Sequence, residues 1–490
     1  MKRPVPSCAW LACRAFGLAF FVVSAAAAAF AEDGIRCRNY RDGDEIRFPS
    51  PLLQGEIIDA TVTRIDATVE SLHGESAVVE SRPFTGLASG GRFKVLVELR
   101  PGVNRIRLRG GVSTTEWKLV YRPATNSHYV RVIWMTDRAG DARYASPQQD
   151  DPQDIDGRLD TAMKLLQTAM AERLFDLGFD RRTFRLEYDE RGRVKVHRWK
   201  RDVLAADDYE LFVEPWHQAV DEALDKELVD AKAKHVVIAA YTRFDPKLRR
   251  VLGHASLGKG RLALFGSGSL FAWPSRVDEV QSAFLNGRAI DPEQWFSDSA
   301  DRHTWWSAAS TSLGTMLHEI GHLFDLPHSR QPSDFMTRGG DHMNRVFVYA
   351  DGPTAAFPRP RPFLERDIPA FQPISAASLV LNRWLSPDEP PQVEDPQFAV
   401  EVDAENKTLR VSGRRAPRYV GFLVRGDVVH HVLPKASTEP AEALPIAEAV
   451  QERLLIPLSD LKGKVDSKTL VVRVQDEAGN LKDIPVSLRP

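Results

Sequence analysis

Eleven residues, His318-Glu319-Ile320-Gly321-His322-Leu323-Phe324-Asp325-Leu326-Pro327-His328, constrain this chain more than any other stretch. Residues four apart on an α-helix lie one turn above each other on one face. His318 and His322 can therefore aim their imidazoles at one cation, with Glu319 projecting beside them. Pro327 cannot continue the helix, so the chain reverses before His328. The preceding sequence agrees: Ser307 to Leu317 lacks proline, and Leu313, Met316, Leu317, Ile320 and Phe324 recur at helical spacing. Three neutral imidazoles give a tetrahedral zinc ion three ligands and leave one position open, the arrangement of a catalytic rather than a structural site. A carboxylate beside that position can take a proton from water as it attacks a carbonyl. The expectation is one Zn²⁺ per chain on His318, His322 and His328, with Glu319 as general base and hydrolysis as the reaction. Asp334 or Asp341 is the alternative for the third ligand.

The stretch resembles the extended signature of the metzincin zinc peptidases, in which a methionine-containing turn follows the third histidine. Met316 to His322, Leu326-Pro327-His328 and then Phe335-Met336-Thr337-Arg338-Gly339 are similar to the metallopeptidase family known from yeast and insects, over Tyr129 to about Leu385. The resemblance implies a zincin-like fold, a protein or peptide substrate, and Met336 as a residue packed beneath the metal without binding it. It also implies a sheet edge along the cleft, made by the last strand before the helix, to which a peptide adds as an extra strand. Asp325 stands where the family has glycine. Asp is among the non-glycine residues that best tolerate positive φ, and it is also a candidate acceptor for a ligand imidazole N–H. Arg338 occupies the place where several metzincins carry a tyrosine that stabilises the tetrahedral intermediate. Arg338 and His342 are therefore candidate donors to an oxyanion.

The first 31 residues read as an export signal. Lys2, Arg3 and Arg14 flank a continuous apolar run from Ala15 to Ala29, and Ala29-Phe30-Ala31 offers a cleavage site. That run is shorter than the ~20 residues that span a bilayer. Cleavage after Ala31 leaves Cys37 as the one remaining thiol, since Cys8 and Cys13 lie in the signal. No intramolecular disulfide can then form, which favours a bacterial periplasmic or secreted setting. Lys+Arg 65 against Asp+Glu 67 gives −2. There is no basic stripe for nucleic acid and no basic amphipathic helix for a membrane surface.

The rest reads as α+β: a zincin-like domain over 126–386, flanked by two all-β, immunoglobulin-like sandwiches over 32–125 and 398–490, the second after a Pro-rich linker at 387–397. Period-two alternation at Phe93, Val95, Val97 and Leu99, then Ile106 and Leu108, marks the first sandwich. Val420, Phe422 and Val424 with Leu470, Val472 and Val474 mark the second. A surface glycan is a candidate ligand for these modules, and packing against the central domain is the plainer role. Within the central domain Ile155, Leu159, Met163, Leu166, Met170 and Leu174 predict a long amphipathic helix, and His235 to Tyr241 a buried strand. Trp305 and Trp306 read as core. The Gly266-Ser267-Gly268-Ser269 run and the Pro353–Pro362 loop are expected to shape the substrate pocket.

Overall fold

The computed structural model describes residues 34–74, 77–391, 395–433, 453–462 and 469–487. The export signal expected over 1–31, with its cleavage point, lies outside the described residues.

A five-stranded sheet forms the centre, in the order Val196–Lys200, Tyr129–Thr136, Ala233–Ala239, Leu262–Gly266, Ser256–Lys259. The first four strands are parallel and the last is antiparallel. Both faces are covered, so the inner strands carry apolar runs, at 132–135 and 236–239; every residue of Ala233–Ala239 is buried. Val132, Trp134, Val236 and Ile238 face one side, together with the helices Ile155–Asp176 and Trp305–Leu323. Ile133, Met135, Val237 and Ala239 face the other, where helix Val213–Glu227 contributes Trp216, Val220 and Leu224. One expectation is corrected here. The sheet edge beside the metal-motif helix is Ser256–Lys259, whereas the last strand before that helix, Leu262–Gly266, lies one place inside it.

Helix Ile155–Asp176 starts at Asp154, whose carboxylate accepts from Gly157 N–H at 3.0 Å. It is buried on nearly all sides, and its charged residues meet loops of the N-terminal module in place of solvent. Lys164 pairs with Asp160 at 2.8 Å and with Glu98, in the loop after strand Arg92–Leu96, at 2.5 Å. Glu172 accepts from Tyr40 and from Asn39, and is paired with Arg181 at 2.9 Å. Pairing of this kind offsets the cost of burying the charges.

The N-terminal strands form one continuous eight-stranded sheet: Ile35–Cys37, Leu52–Ile57, Arg92–Leu96, Ala77–Ser89, Arg64–His73, Gly102–Gly110, Ser113–Tyr121, Glu45–Ile46. Alternation correctly places Ile106 and Leu108 inward, but the strands bond in a single sheet and not in two facing ones. Their apolar face is continuous with the core of the central unit. Lys94 reaches across, donating to Arg345 O at 2.9 Å and Val348 O at 3.1 Å. The N-terminal module thus packs against the central unit.

The C-terminal strands do form two sheets. Ala399–Asp403, Thr408–Ser412 and Arg453–Pro457 make one; Asp427–Val432, Pro417–Val424, Thr469–Asp476 and Leu481–Ser487 make the other. Leu409, Val411 and Ile456 from the first meet Val420, Phe422, Val472 and Val474 from the second in one core, as in a sandwich.

Candidate metal centre

Helix Trp305–Leu323 opens with Thr304, whose N–H donates to the Ser307 hydroxyl at 3.2 Å. Leu313, Met316, Leu317 and Ile320 seat it in the core. Its end is set by backbone geometry. Leu326 N–H bonds to Gly321 O and Asp325 N–H to His322 O, both at 3.0 Å, with Asp325 at φ 64°. This is a Schellman ending with Asp in the left-handed position that glycine usually takes. The chain reverses there and returns His328 to the helix face.

His322 Nε2 lies 3.1 Å from His318 Nε2 and 3.2 Å from His328 Nε2. Zinc–nitrogen bonds of about 2.05 Å at tetrahedral angles separate ligand nitrogens by about 3.3 Å, so the spacing suits one such ion. The tautomers agree. His318 Nδ1 is 2.7 Å from Phe335 O, and His322 Nδ1 is 2.7 Å from Leu326 O. A carbonyl only accepts, so each Nδ1 carries the hydrogen and each Nε2 presents a bare lone pair to the other. Two facing lone pairs at that distance repel unless a cation lies between them. Burial holds His318 in its neutral form down to about pH 4 and also lowers His322. Among the described residues, this trio is the set of His, Cys, Asp and Glu side chains placed to hold a metal.

Glu319, on the same turn, is 7% exposed. Its Oε2 accepts from Gly258 N–H of the edge strand at 2.6 Å. Burial pushes its carboxyl up to about 7, and the Gly258 hydrogen bond opposes part of that rise. The helix and the edge strand touch at this point: a Cβ on Gly258 would stand 2.1 Å from Glu319 O. Only glycine permits so close an approach.

Met336 is fully buried beneath the helix, and a Cβ on Gly321 would stand 2.4 Å from its Sδ. The turn carrying it is tied to the trio twice. Phe335 O receives His318, and Ser329 N–H, next to His328, donates to Met336 O at 3.0 Å. Asp334, the alternative ligand, instead accepts from Met336 N–H at 2.9 Å and Gln372 N–H at 3.3 Å. Asp341 pairs with Arg338 at 2.9 Å, and the Arg338 side chain is 73% exposed. Neither aspartate joins the trio, and Arg338 faces solvent instead of the centre. His342 turns to Arg302 at 3.3 Å. It lines a cavity of about 750 Å³ with Trp306, Ile290 and the Pro353–Pro358 loop, at the far end of the helix from the histidines. The Gly266–Ser269 run, expected at a pocket, contains Ser267 and Ser269 in buried positions. Trp305 and Trp306 are core residues, and Trp306 donates to Pro353 O at 2.8 Å. Asp325 serves the turn and no imidazole: the residue is exposed, and the positive charges that act on its carboxylate are Lys234 and Arg473.

Sequence reasoning missed Gly258 and the two carbonyls that fix the tautomers. A glycine within a short strand was the one available signal for the first; backbone carbonyls leave none.

A putative zinc metalloproteinase of Schizosaccharomyces pombe is 26% identical over 304 residues, covering 57% of this chain and 48% of that protein. A putative zinc metalloproteinase of Saccharomyces cerevisiae is 25% identical over 348 residues, covering 63% and 48%. The chain therefore spans about half the length of these relatives. Among solved structures, OgpA from Akkermansia muciniphila superposes with a TM-score of 0.45 at 16% identity, covering 74% of this chain and 92% of that one. The model of the family Metallopep, described as "Putative peptidase family", matches residues 34–407, and the chain belongs to that family.

Proposed function

We propose that this protein is an exported zinc-dependent endopeptidase with one zinc per chain on His318, His322 and His328. One observation carries the reading: His322 Nε2 lies within 3.2 Å of both His318 Nε2 and His328 Nε2, two of the three stripped of hydrogen by carbonyl partners, beside a buried carboxylate. Two yeast relatives named as zinc metalloproteinases support it, and the leader pattern of residues 1–31 supports export.

Zinc, when bound, supplies a Lewis acid that polarises the scissile carbonyl and lowers the pKa of water towards ~7. The chain does the rest. Glu319 takes the proton of the attacking water and returns it to the leaving amine. The Gly258 N–H keeps that carboxylate turned to the cleft, and Phe335 O and Leu326 O keep two imidazoles in the ligating tautomer. Met336 fills the space under the helix and fixes the turn that bears Phe335. A substrate peptide runs along the open side of Ser256–Lys259, bonding main chain to main chain. We read residues 32–125 and 398–490 as supporting β modules around a peptidase unit at 126–386, the C-terminal one immunoglobulin-like in kind.

A peptide-library digest with and without chelator, on the parent and on Glu319→Gln, tests the reading. The parent should cut only with its metal, and Glu319→Gln should keep zinc and lose cutting. Equal digestion by parent and variant would sink the general-base role. No digestion by zinc-loaded parent would favour a catalytically silent binding protein.

A further inference from the structure

The turn from Phe324 to Leu326 connects the two helical histidines to His328, and each of its carbonyls has a partner. Phe324 O accepts from Asn382 Nδ2 at 3.1 Å, Leu326 O receives His322 Nδ1 at 2.7 Å, and Asp325 O between them accepts from Arg473 Nη1. Arg473 lies on Thr469–Asp476, in the C-terminal sandwich and beyond the segment that matches the family model. Its guanidinium is held in place by Asp483, Nε to Oδ1 and Nη2 to Oδ2, both at 2.8 Å, and its side chain is 9% exposed. The neighbouring anchor comes from the same side. Arg383, next to Asn382, donates to Ala478 O and Asn480 Oδ1, both at 3.1 Å, in the hairpin that follows Arg473.

We propose that the C-terminal sandwich is a brace for the metal centre, with Arg473 as a positioning residue that fixes the turn and so the place of His328. The inference rests on the three-histidine reading above. A bidentate Arg–carboxylate pair is a rigid donor. Asp325, in a left-handed conformation that most residues avoid, gains an anchor where backbone strain would otherwise let the turn relax. Of the three imidazoles, His328 depends most on the brace. The other two ride on a helix seated in the core, whereas His328 is exposed.

The full chain with zinc as the probe tests this. Zinc affinity is read by competition with a chromophoric chelator, and site geometry by the absorption spectrum of the Co²⁺-substituted protein. Arg473→Met should bind zinc on the order of ten- to a hundredfold more weakly, as expected when a group supporting a ligand is lost, with an altered Co²⁺ spectrum. Arg473→Lys, which keeps one donor but not the fork, should fall between it and the parent. Val472→Ala, in the sandwich core, should lower the melting temperature while keeping parental zinc affinity and spectrum. Parental affinity and spectrum in Arg473→Met would overturn the inference alone, as would equal loosening by Val472→Ala. A parent chain that binds no zinc would overturn the metal-centre reading and this inference with it.

Discussion

Gly258→Ala isolates the contact between the edge strand and the metal-motif helix. Gly258 has no left-handed φ to preserve, so the effect of the added methyl is steric. That methyl would meet Glu319 O at 2.1 Å and Glu319 C at 2.8 Å, both backbone atoms that cannot rotate aside. The gap has to open by roughly 1 Å to reach ordinary van der Waals separation. Overpacking of this kind costs about 1–3 kcal/mol. Parting the strand from the helix also stretches the 2.6 Å bond from Gly258 N–H to Glu319, and a hydrogen bond to a charged group contributes about 1.5–3 kcal/mol. Removing a glycine from the unfolded chain returns about 0.4–1 kcal/mol. The net loss is about 2–5 kcal/mol, a drop on the order of 3–7 °C in melting temperature for a core of this size. A general base displaced by ~1 Å costs on the order of 100-fold in rate. The assay pairs thermal melting with kcat/KM on a peptide substrate, using the exposed Lys226→Ala, on the helix across the sheet, as the control. A Gly258→Ala protein that melts and cuts like the parent would refute the contact and the placing of Glu319 together.

The other expected outcomes concern the surroundings of the same centre. Met336→Leu should keep zinc and cost under ~1.5 kcal/mol, whereas Met336→Asp, which buries an unpaired charge, should lose both fold and metal; zinc content measured alongside melting separates them. Asp325→Gly should retain full zinc occupancy, since the Asp325 carboxylate faces Lys234 and Arg473 and no imidazole; loss of zinc would restore it as a partner of a ligand. In chelator-treated protein the folded state holds the Glu319 proton more tightly than the unfolded chain, with a carboxyl at about 7 against 4.5. That contribution is present in full below pH 4.5 and is lost as pH rises through 7. Glu319→Gln should therefore be the more stable protein at pH 8, by roughly 3 kcal/mol at most, and match the parent near pH 4. A difference that stays flat with pH in denaturant titrations would contradict the burial of Glu319.

The legible part of this protein was its local geometry. The spacing of His318 and His322 follows from the helical repeat, Pro327 announces the reversal before His328, and the tolerance of Asp for positive φ predicts the ending observed at Asp325. Period-two alternation found the strands around Phe93 and Val472 because it reports which residues face inward. It does not report which strands pair, so one rolled sheet and two facing sheets read alike. The charges of Asp160, Lys164 and Glu172 look like a solvated helix face in sequence, and their partners Glu98, Tyr40 and Asn39 come from N-terminal loops far away in the chain. The edge strand Ser256–Lys259 is too short to show a pattern, and a tight turn at Gly260-Arg261 places it outside the strand that follows. Arg473 and Asp325 are 148 residues apart, and no local rule connects them.

The most direct test of the central claim is zinc content per chain for the purified protein and for His318→Ala, His322→Ala and His328→Ala. Three converging imidazoles predict about one zinc in the parent and most of it lost in each variant. Full zinc occupancy in His328→Ala would contradict the three-histidine centre and leave the third ligand to another residue.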